Sequence, residues 1–165
     1  MAKHGKKKKT VSPTDGNKDV AVNRKSRFLY TFEDTVEAGL MLLGSEVKSA
    51  REGGVNLTDS FVRLRGHEAF LVGCRFAPYS AAGPAFNHDP DRERKLLMHR
   101  REIDRLAVKV KEKGLTLIVP KIYFTEGRLK AQVVLGRGKK THDKRAALKE
   151  RAVKKDMDKA MKQHR

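Results

Sequence analysis

The fold of this chain is decided by residues 115–135, LTLIVPKIYFTEGRLKAQVVL. The first half, 115–124, is mainly apolar, and apolar residues recur at every second position from 129 to 135. Between them, Glu126 and Gly127 are typical turn formers. An apolar run, a tight turn and an alternating run together indicate two antiparallel strands with a shared buried face. We therefore predict a β-hairpin here.

Two more hairpins are predicted toward the N-terminus. The first joins 28–32 to 36–42 through a turn at Asp34, and the second joins 62–65 to 69–76. Six strands in three hairpins, without repeated strand–helix–strand alternation, disfavour a doubly wound sheet. A small antiparallel barrel hides its strand edges and fits this length. The predicted fold is mainly β with helices, an OB-like six-stranded antiparallel barrel.

About three helices are predicted beside the strands. Ser45 is placed to cap a short helix that stops at Gly53. Asp89, followed by a proline, is a strong helix start, because Asp accepts from the first backbone amides and Pro needs no donor there. An apolar face then continues to Gly114, and the polar residues 99–101 indicate a break between two helices.

The charge of the chain is strongly positive and unevenly distributed. Its 165 residues include 38 Lys+Arg and 20 Asp+Glu, a net charge of +18. Residues 1–27 carry +7, residues 28–136 only +3, and residues 137–165 carry +8. An excess of this size disfavours self-association and favours polyanionic partners. We predict a monomer that binds nucleic acid.

This distribution divides the chain into three parts. Residues 1–18 form a basic arm with little to bury, which we expect to be disordered when free; a solubilising tail is the alternative. Residues 19–136 form the barrel core. Residues 137–165 form a basic tail with a narrow apolar stripe at helical spacing, which we expect to become helical on a partner; packing on the core is the alternative.

Composition also bears on location. No apolar run reaches about 18 residues, so a transmembrane helix is not expected. No apolar region follows the basic N-terminus as it would in a signal peptide. Cys74 is the only cysteine, which excludes an intrachain disulfide and a Cys-based zinc cluster and fits a reducing compartment. A cytoplasmic protein without a membrane partner is expected.

No catalytic or metal-binding pattern is complete. The segment 138–141 resembles the end of a phosphate-binding loop, but Val133 and Lys140 stand where that loop needs Gly and Ser or Thr. The 6 histidines form no His-x-x-x-His pair, which leaves a helical zinc site without support. We therefore predict no enzyme, no cofactor and no metal site.

Basic residues cluster at both ends of the core. The clusters contain Asn23, Arg24, Lys25 and Arg27 before the first strand, and Arg137, Gly138, Lys139 and Lys140 after the last. Arg63 and Arg65 share one face of another predicted strand. Cations bind phosphates, and glycine lets the backbone approach a ligand. Loops on a small barrel suit RNA, which is recognised through exposed bases, 2′-hydroxyls and shape.

Six motifs occur in order between residues 23 and 145. They are Asn23-Arg24-Lys25-x-Arg27, Glu37-Ala38-Gly39, Gly44-x-Glu46-Val47-Lys48-Ser49-x-Arg51, Asn56-x-x-Asp59-Ser60, Asp89-Pro90-x-Arg92-x-Arg94-Lys95-Leu96-Leu97 and Gly138-Lys139-Lys140-x-His142-Asp143-Lys144-Arg145. Each is weak alone, but together they resemble small protein B (SmpB), the SsrA- or tmRNA-binding family of bacteria. Ala50 departs from the Leu that the family often has there, which affects helix packing only.

The resemblance implies both fold and function. Members of this family have an OB-like six-stranded antiparallel barrel with packed helices and are not enzymes. They bind the tRNA-like domain of tmRNA and bring it to ribosomes stalled without a stop codon, in trans-translation. The implied partners are tmRNA, the stalled ribosome with its 16S rRNA, and the complex of alanyl-tmRNA with the translation elongation factor.

The same resemblance assigns roles to residues. Asn23 and Glu37 match positions implicated in tmRNA binding, and the basic loop around Arg137, Lys139 and Lys140 is similarly placed. His142 matches a position near the ribosomal decoding centre, and Asp143-Lys144-Arg145 matches a tail motif needed on the ribosome. The rest of the tail is thought to become helical in the empty mRNA channel.

Glu37 needs a separate explanation, because a carboxylate repels phosphate. We expect it either to accept a hydrogen bond from a base edge or 2′-hydroxyl, or to orient a neighbouring Arg or Lys. Two other classes of function stay open. A generic basic protein that coats DNA or rRNA would explain the charge but not Glu37. A nuclease would use Glu33, Asp34 and Glu37 with a divalent metal, although a turn and a solvent-facing strand explain these carboxylates equally well.

Overall fold

The computed structural model describes residues 18–140, together with Met157 and Met161. The strands are β1 (Lys18–Val22), β2 (Tyr30–Leu40), β3 (Val55–Asn56), β4 (Phe61–Arg65), β5 (Glu68–Val72), β6 (Arg75–Phe76), β7 (Arg94–Leu97), β8 (Thr116–Thr125) and β9 (Arg128–Gly138). The α-helices are α1 (Ser26–Leu29), α2 (Gly44–Arg51) and α3 (Arg100–Lys113), and Pro84–Phe86 form a 3-10 turn.

Six strands close into a barrel. Their order around the ring is β8-β4-β5-β7-β2-β9, and β9 pairs again with β8. All six pairings are antiparallel. Strand β1 is added to β8 outside the ring, and β3 pairs with β6 as a separate two-stranded sheet. The predicted six-stranded antiparallel barrel with about three helices is confirmed, and closure of the ring pairs the edges of its strands.

The hairpin at 115–135 forms as predicted. Strands β8 and β9 join through Glu126 and Gly127, whose φ angles of 49° and 74° are both left-handed. A two-residue turn of this kind matches the natural twist of paired strands. The buried core takes residues from every strand of the ring and from α3. These include Val36, Ala38, Val62, Ala69, Leu71, Leu96, Ile103, Leu106, Leu117, Val119, Ile122, Phe124, Ala131, Val133 and Leu135.

Pro120 lies in the middle of β8 and changes the partner of that strand. The pairing of β8 with β9 shifts register between Ile118 and Lys121, around the proline that has no N–H to donate. On the other edge, Ile118 pairs with β4, whereas Lys121 and the residues after it pair with β1. The backbone N–H of Asn23 donates to the Pro120 carbonyl at 2.7 Å. The proline therefore makes room for β1 beside the barrel.

Residues 30–40 form one long strand, and the turn predicted at Asp34 is wrong. Strand β2 pairs with β9 along its length, with a bulge between Phe32 and Asp34. Phe28 lies in α1 rather than in a strand. The Asp34 carboxylate accepts a hydrogen bond from Lys109 of α3 at 2.8 Å. The polar interruption that resembled a turn is thus the point where the helix is fastened to the barrel.

Two predicted helix starts are also wrong. Asp89 lies in a turn, where its Oδ1 accepts from the Asp91 amide at 3.0 Å, and the segment after it forms β7. Helix α3 begins only at Arg100. The N-terminal flank of α2 is Leu43 rather than Ser45, and the Leu43 amide donates to Glu46 Oε2 at 2.7 Å. The predicted hairpin at 62–76 is confirmed by β4 and β5, but its return strand ends at Val72, and Arg75 and Phe76 pair with β3 instead.

A buried ion network joins α2 to β7. The side chains of Glu46 and Arg94 are fully buried, with Arg94 Nε 2.8 Å from Glu46 Oε1. Arg92 Nη2 lies 2.6 Å from the other oxygen of the same carboxylate. Arg94 also donates to the Cys74 carbonyl at 2.7 Å, and its guanidinium lies 4.2 Å from the Phe76 ring centroid. Three charged residues of the sequence motifs therefore hold the fold together.

Candidate nucleic-acid interface

Asn23 shapes the turn that leads from β1 into α1. Its Nδ2 donates to the carbonyls of Leu57 at 2.9 Å and Thr58 at 3.1 Å. Its Oδ1 accepts from the Lys25 amide at 3.1 Å, and its carbonyl accepts from the buried Ser26 hydroxyl at 2.6 Å. The side chain of Asn23 is thus satisfied within the protein, which makes it an organiser of the neighbouring cations.

The three cations of the first cluster are exposed on this turn. Within residues 18–140, the side chains of Arg24, Lys25 and Arg27 form no ion pair. A cleft of about 440 Å³ opens beside them. It is lined by Asp19, Val22, Asn23, Arg24, Ser26, Arg27, Pro120, Lys121 and Gln132. The cleft therefore combines the basic side chains of Arg24, Arg27 and Lys121 with the side-chain amide of Gln132 on β9.

The second basic cluster meets the first at the end of β9. Gly138 pairs with Tyr30 at the start of β2. The Lys139 amide donates to the Leu29 carbonyl at 2.9 Å, and Lys139 Nζ donates to the Arg27 carbonyl at 3.1 Å. A Cβ at Gly138 would find no atom within 4 Å, so the backbone there is open to a ligand. The barrel thus brings together two basic clusters that are far apart in the sequence.

Arg137 and Lys140 belong to the same stretch but differ in their surroundings. Arg137 and Gly138, predicted as the start of the tail, are the last two residues of β9. Arg137 Nη2 lies 2.8 Å from Glu33 Oε1, so its charge is partly compensated. Lys140 is the last residue of the continuous described segment. Lys139 is fixed against the first cluster by its amide and its ammonium group.

Glu37 lies on the outer face of β2, between a cation and a phenol. One carboxylate oxygen accepts from Lys130 and the other from the Tyr123 hydroxyl. The hydrogen bond from Lys130, followed by that from Tyr123, holds the pKa of Glu37 below its ordinary value. Burial, followed by the hydrogen bond to Glu37, raises the pKa of Tyr123 to about 12. Of the two roles expected for Glu37, orientation of a neighbouring cation matches these contacts.

The strand register connects Glu37 to the cleft. Glu37 pairs with Gln132 of β9, and Gln132 pairs with Lys121 of β8. Directly paired residues of neighbouring strands share one face of a sheet. Lys121 and Gln132 line the cleft beside Arg24. The cleft, the Glu37–Lys130 pair and the second basic cluster, which Lys139 joins to Arg27, therefore form one continuous surface, which we call the basic face.

Comparison with known proteins decides the family. The SmpB protein family matches residues 20–163. The chain belongs to the SmpB family. An SsrA-binding protein of Thermosynechococcus vestitus is 50% identical over 149 residues, which cover 90% of this chain and 98% of that protein. An SsrA-binding protein of Nitratidesulfovibrio vulgaris (strain DP4) is 53% identical over 137 residues, covering 83% of this chain and 88% of that protein.

A solved structure agrees with this assignment. It is described as "tmRNA-SmpB: a journey to the center of the bacterial ribosome". The similar chain in it has a TM-score of 0.63 and 46% sequence identity, covering 78% of this chain and 93% of that chain. The family resemblance recognised from the six motifs is thereby confirmed.

The structure leaves Arg63 and Arg65 outside the basic face. Both lie on β4 and pair with Glu93, at 2.8 Å and 2.9 Å. Arg63 also stacks on the Phe61 ring at 5.6 Å, and Arg65 stacks on the Phe70 ring at 5.3 Å. Neither lines the cleft beside Arg24. Their two charges are partly compensated by the single carboxylate of Glu93.

The three carboxylates of the nuclease hypothesis do not converge. Glu33 pairs with Arg137, Asp34 with Lys109 and Glu37 with Lys130. Among the residues the structure describes, no group of three His, Cys, Asp or Glu side chains could hold a metal ion. Each carboxylate instead forms an ion pair with a different cation.

Part of the predicted site falls outside the described residues. The arm before residue 18 does so, and so do His142, Asp143, Lys144 and Arg145. In the tail, Met157 and Met161 are helical and exposed.

None of the helices described in this chain is long and apolar enough to cross a membrane.

Sequence reasoning missed four residues of the basic face: Lys121, Tyr123, Lys130 and Gln132. All four lie on the hairpin that decided the fold, at positions that do not fill the barrel. The alternation of β9 marked Lys130 and Gln132 as outward-facing. That this outer face adjoins residues 23–27 could not be predicted, because it depends on where β1 is added to β8.

Proposed function

We propose that this chain binds SsrA RNA (tmRNA) and delivers it to stalled ribosomes in trans-translation. The names of its relatives support this, since they are SsrA-binding proteins, as does the similarity to a chain in a solved tmRNA–SmpB structure. One observation of the fold carries the proposal. Arg27 and Lys139, 112 residues apart in the sequence, meet on one exposed basic surface.

The RNA-binding residues are proposed to act in different ways. The cations bind phosphates of the tRNA-like domain, and they are Arg24, Lys25, Arg27, Arg137, Lys139 and Lys140. Gly138 lets the RNA approach the backbone. Asn23 holds the turn that presents the first cluster, and Glu37 orients Lys130. None of these roles makes or breaks a covalent bond, so the protein is proposed to act as a binding protein without a cofactor.

The tail is proposed to act on the ribosome. His142 would lie near the decoding centre, followed by Asp143, Lys144 and Arg145. A strongly basic tail suits a channel lined with 16S rRNA, and it can order there only when no mRNA occupies the channel. The chain would work as a cytoplasmic monomer, together with alanyl-tmRNA and the elongation factor. A vacant channel is thus the signal that the tail detects.

Replacing Arg24 and Arg27 by Gln tests the RNA-binding surface. We expect affinity for the tRNA-like domain to fall about tenfold per arginine at low salt, because a charge-assisted hydrogen bond contributes about 1.5 kcal/mol or more. The slope of log affinity against log salt should also flatten by roughly 0.7–0.9 for each lost phosphate contact. Titration of labelled RNA at several salt concentrations measures both quantities.

The matched control replaces Arg63 and Arg65 by Gln. This removes the same charge from a site outside the basic face, where both arginines pair with Glu93. Its affinity should stay within about twofold of the wild type, because it loses no proposed phosphate contact. Equal losses in both double variants would instead favour a generic basic protein. Equal affinity for tmRNA and duplex DNA in a competition would do the same.

A further inference from the structure

Tyr123 occupies the centre of the basic face, although no motif of the sequence includes it. It lies on β8 directly opposite Lys130 of β9. Its exposed fraction is 9%, since its neighbours cover the ring. The Lys121 Nζ atom lies 4.8 Å from the ring centroid. The Tyr123 hydroxyl donates to Glu37 Oε2.

These contacts connect the two parts of the basic face. Through its ring, Tyr123 contacts Lys121, which lines the cleft beside Arg24 and Arg27. Through its hydroxyl, it holds the carboxylate that accepts from Lys130. One side chain thus bears on two cations that lie on different strands.

We propose that Tyr123 is a positioning residue for RNA binding, one that restrains Lys121 and Lys130, which act as two phosphate-binding cations in addition to those proposed above. The inference rests on the proposed function of the same surface. Lysine is a flexible point charge with about 2 kcal/mol of rotamer entropy. Holding two lysines in place before the RNA arrives reduces the entropy that is lost on binding.

The hydroxyl is the part of Tyr123 that makes this possible. Glu37 is held in its ionised form by Lys130 and Tyr123, and a hydrogen bond to an ionised acceptor is about twice as strong as a neutral one. A tyrosine hydroxyl is protonated at neutral pH even at its ordinary pKa of about 10, and burial and Glu37 raise the pKa of Tyr123 further, to about 12. Without the hydroxyl, one oxygen of Glu37 would lose its partner, and Lys130 would be less restrained.

Tyr123→Phe tests this role, because it removes the hydroxyl and keeps the ring over which Lys121 lies. We expect affinity for the labelled tRNA-like domain of tmRNA to fall about 3- to 10-fold. Tyr79→Phe is the matched control. Tyr79 also has a lysine near its ring, Lys48 at 5.4 Å, but it lies in the loop after β6, away from the basic face. Its affinity should stay within about twofold of the wild type.

A double-mutant cycle with Glu37→Gln separates positioning from simple packing. If Tyr123 acts through Glu37, Tyr123→Phe should change affinity less than about twofold once Glu37 is replaced. Urea unfolding of each variant measures packing effects separately. Wild-type protein that fails to bind the RNA would overturn the proposed function itself. Wild-type binding with an unchanged Tyr123→Phe variant, or with fully additive losses, would overturn only the role of Tyr123.

Discussion

Replacing Glu46 by Gln is expected to lower the free energy of unfolding by about 3–5 kcal/mol. The carboxylate is fully buried and contacts both Arg94 and Arg92. Without its charge, the guanidinium of Arg94 stays buried and uncompensated, and a buried charge without its partner is strongly unfavourable. Urea or thermal unfolding, followed by circular dichroism, measures the change. For a domain stabilised by about 5–15 kcal/mol, this is a large fraction of the total.

Glu93→Gln is the matched control for this prediction. Glu93 also contacts two arginines, Arg63 and Arg65, but its side chain is 32% exposed. Exposed ion pairs contribute only about 0–1 kcal/mol, because water and salt screen them. A Glu46→Gln variant as stable as Glu93→Gln would contradict the view that the buried network holds α2 to the barrel.

The stability of the fold should depend on pH through the same residue. Burial raises the pKa of Glu46, but hydrogen bonds from Arg92 and the Leu43 amide, with the charges of both arginines, hold it below its ordinary value of 4.5. A depressed pKa stabilises the fold fully above the unfolded-state value, and that contribution is lost as the pH falls through the folded-state value. The wild type should therefore lose stability below about pH 4.5 more steeply than Glu46→Gln does. Parallel acid titrations of both proteins measure the difference; identical profiles would exclude Glu46 as the cause.

The parts of the fold that could be predicted are those determined by neighbouring residues. The hairpin at 115–135 was predictable because its alternation and its turn residues act within a few positions of each other. The turn expected at Asp34 failed for the opposite reason. The Asp34 side chain pairs with Lys109 of α3, which is 75 residues further along the chain. A local pattern cannot distinguish a polar residue in a turn from a polar residue that pairs with a distant helix.

The candidate site shows the same division. Asn23, Arg24, Arg27 and Glu37 were identifiable as residues, from charge and from family motifs. Their partners were not, because the positions of Tyr123 and Lys130 beside Glu37 follow from strand register. The buried network was the hardest feature to predict. Charged residues are almost never fully buried unless they are paired, and the sequence does not reveal that the folded chain pairs Glu46 with Arg94.

Deleting residues 143–165 is expected to abolish tagging of stalled nascent chains while RNA binding is largely kept. The basic face is formed by residues within 18–140, so the truncated chain retains it. The deleted segment holds nine Lys or Arg and four Asp or Glu, a net charge of +5. Its loss weakens only the long-range attraction to RNA, which salt screens beyond about 8–10 Å. Titration of the tRNA-like domain measures binding, and a reconstituted translation reaction on an mRNA without a stop codon measures tagging.

A tail of scrambled order distinguishes charge from sequence in this experiment. It keeps the net charge of +5 but separates Asp143, Lys144 and Arg145 and removes the helical spacing that includes Met157 and Met161. If the tail orders in the vacant channel, a scrambled tail should bind RNA like the wild type and still fail to tag, because charge alone fixes neither a helix nor the contacts of its residues. Normal tagging by either variant would contradict the proposed mechanism. Loss of RNA binding on truncation would show instead that the basic face extends past Lys140, in which case binding and channel sensing would be one function of a single surface.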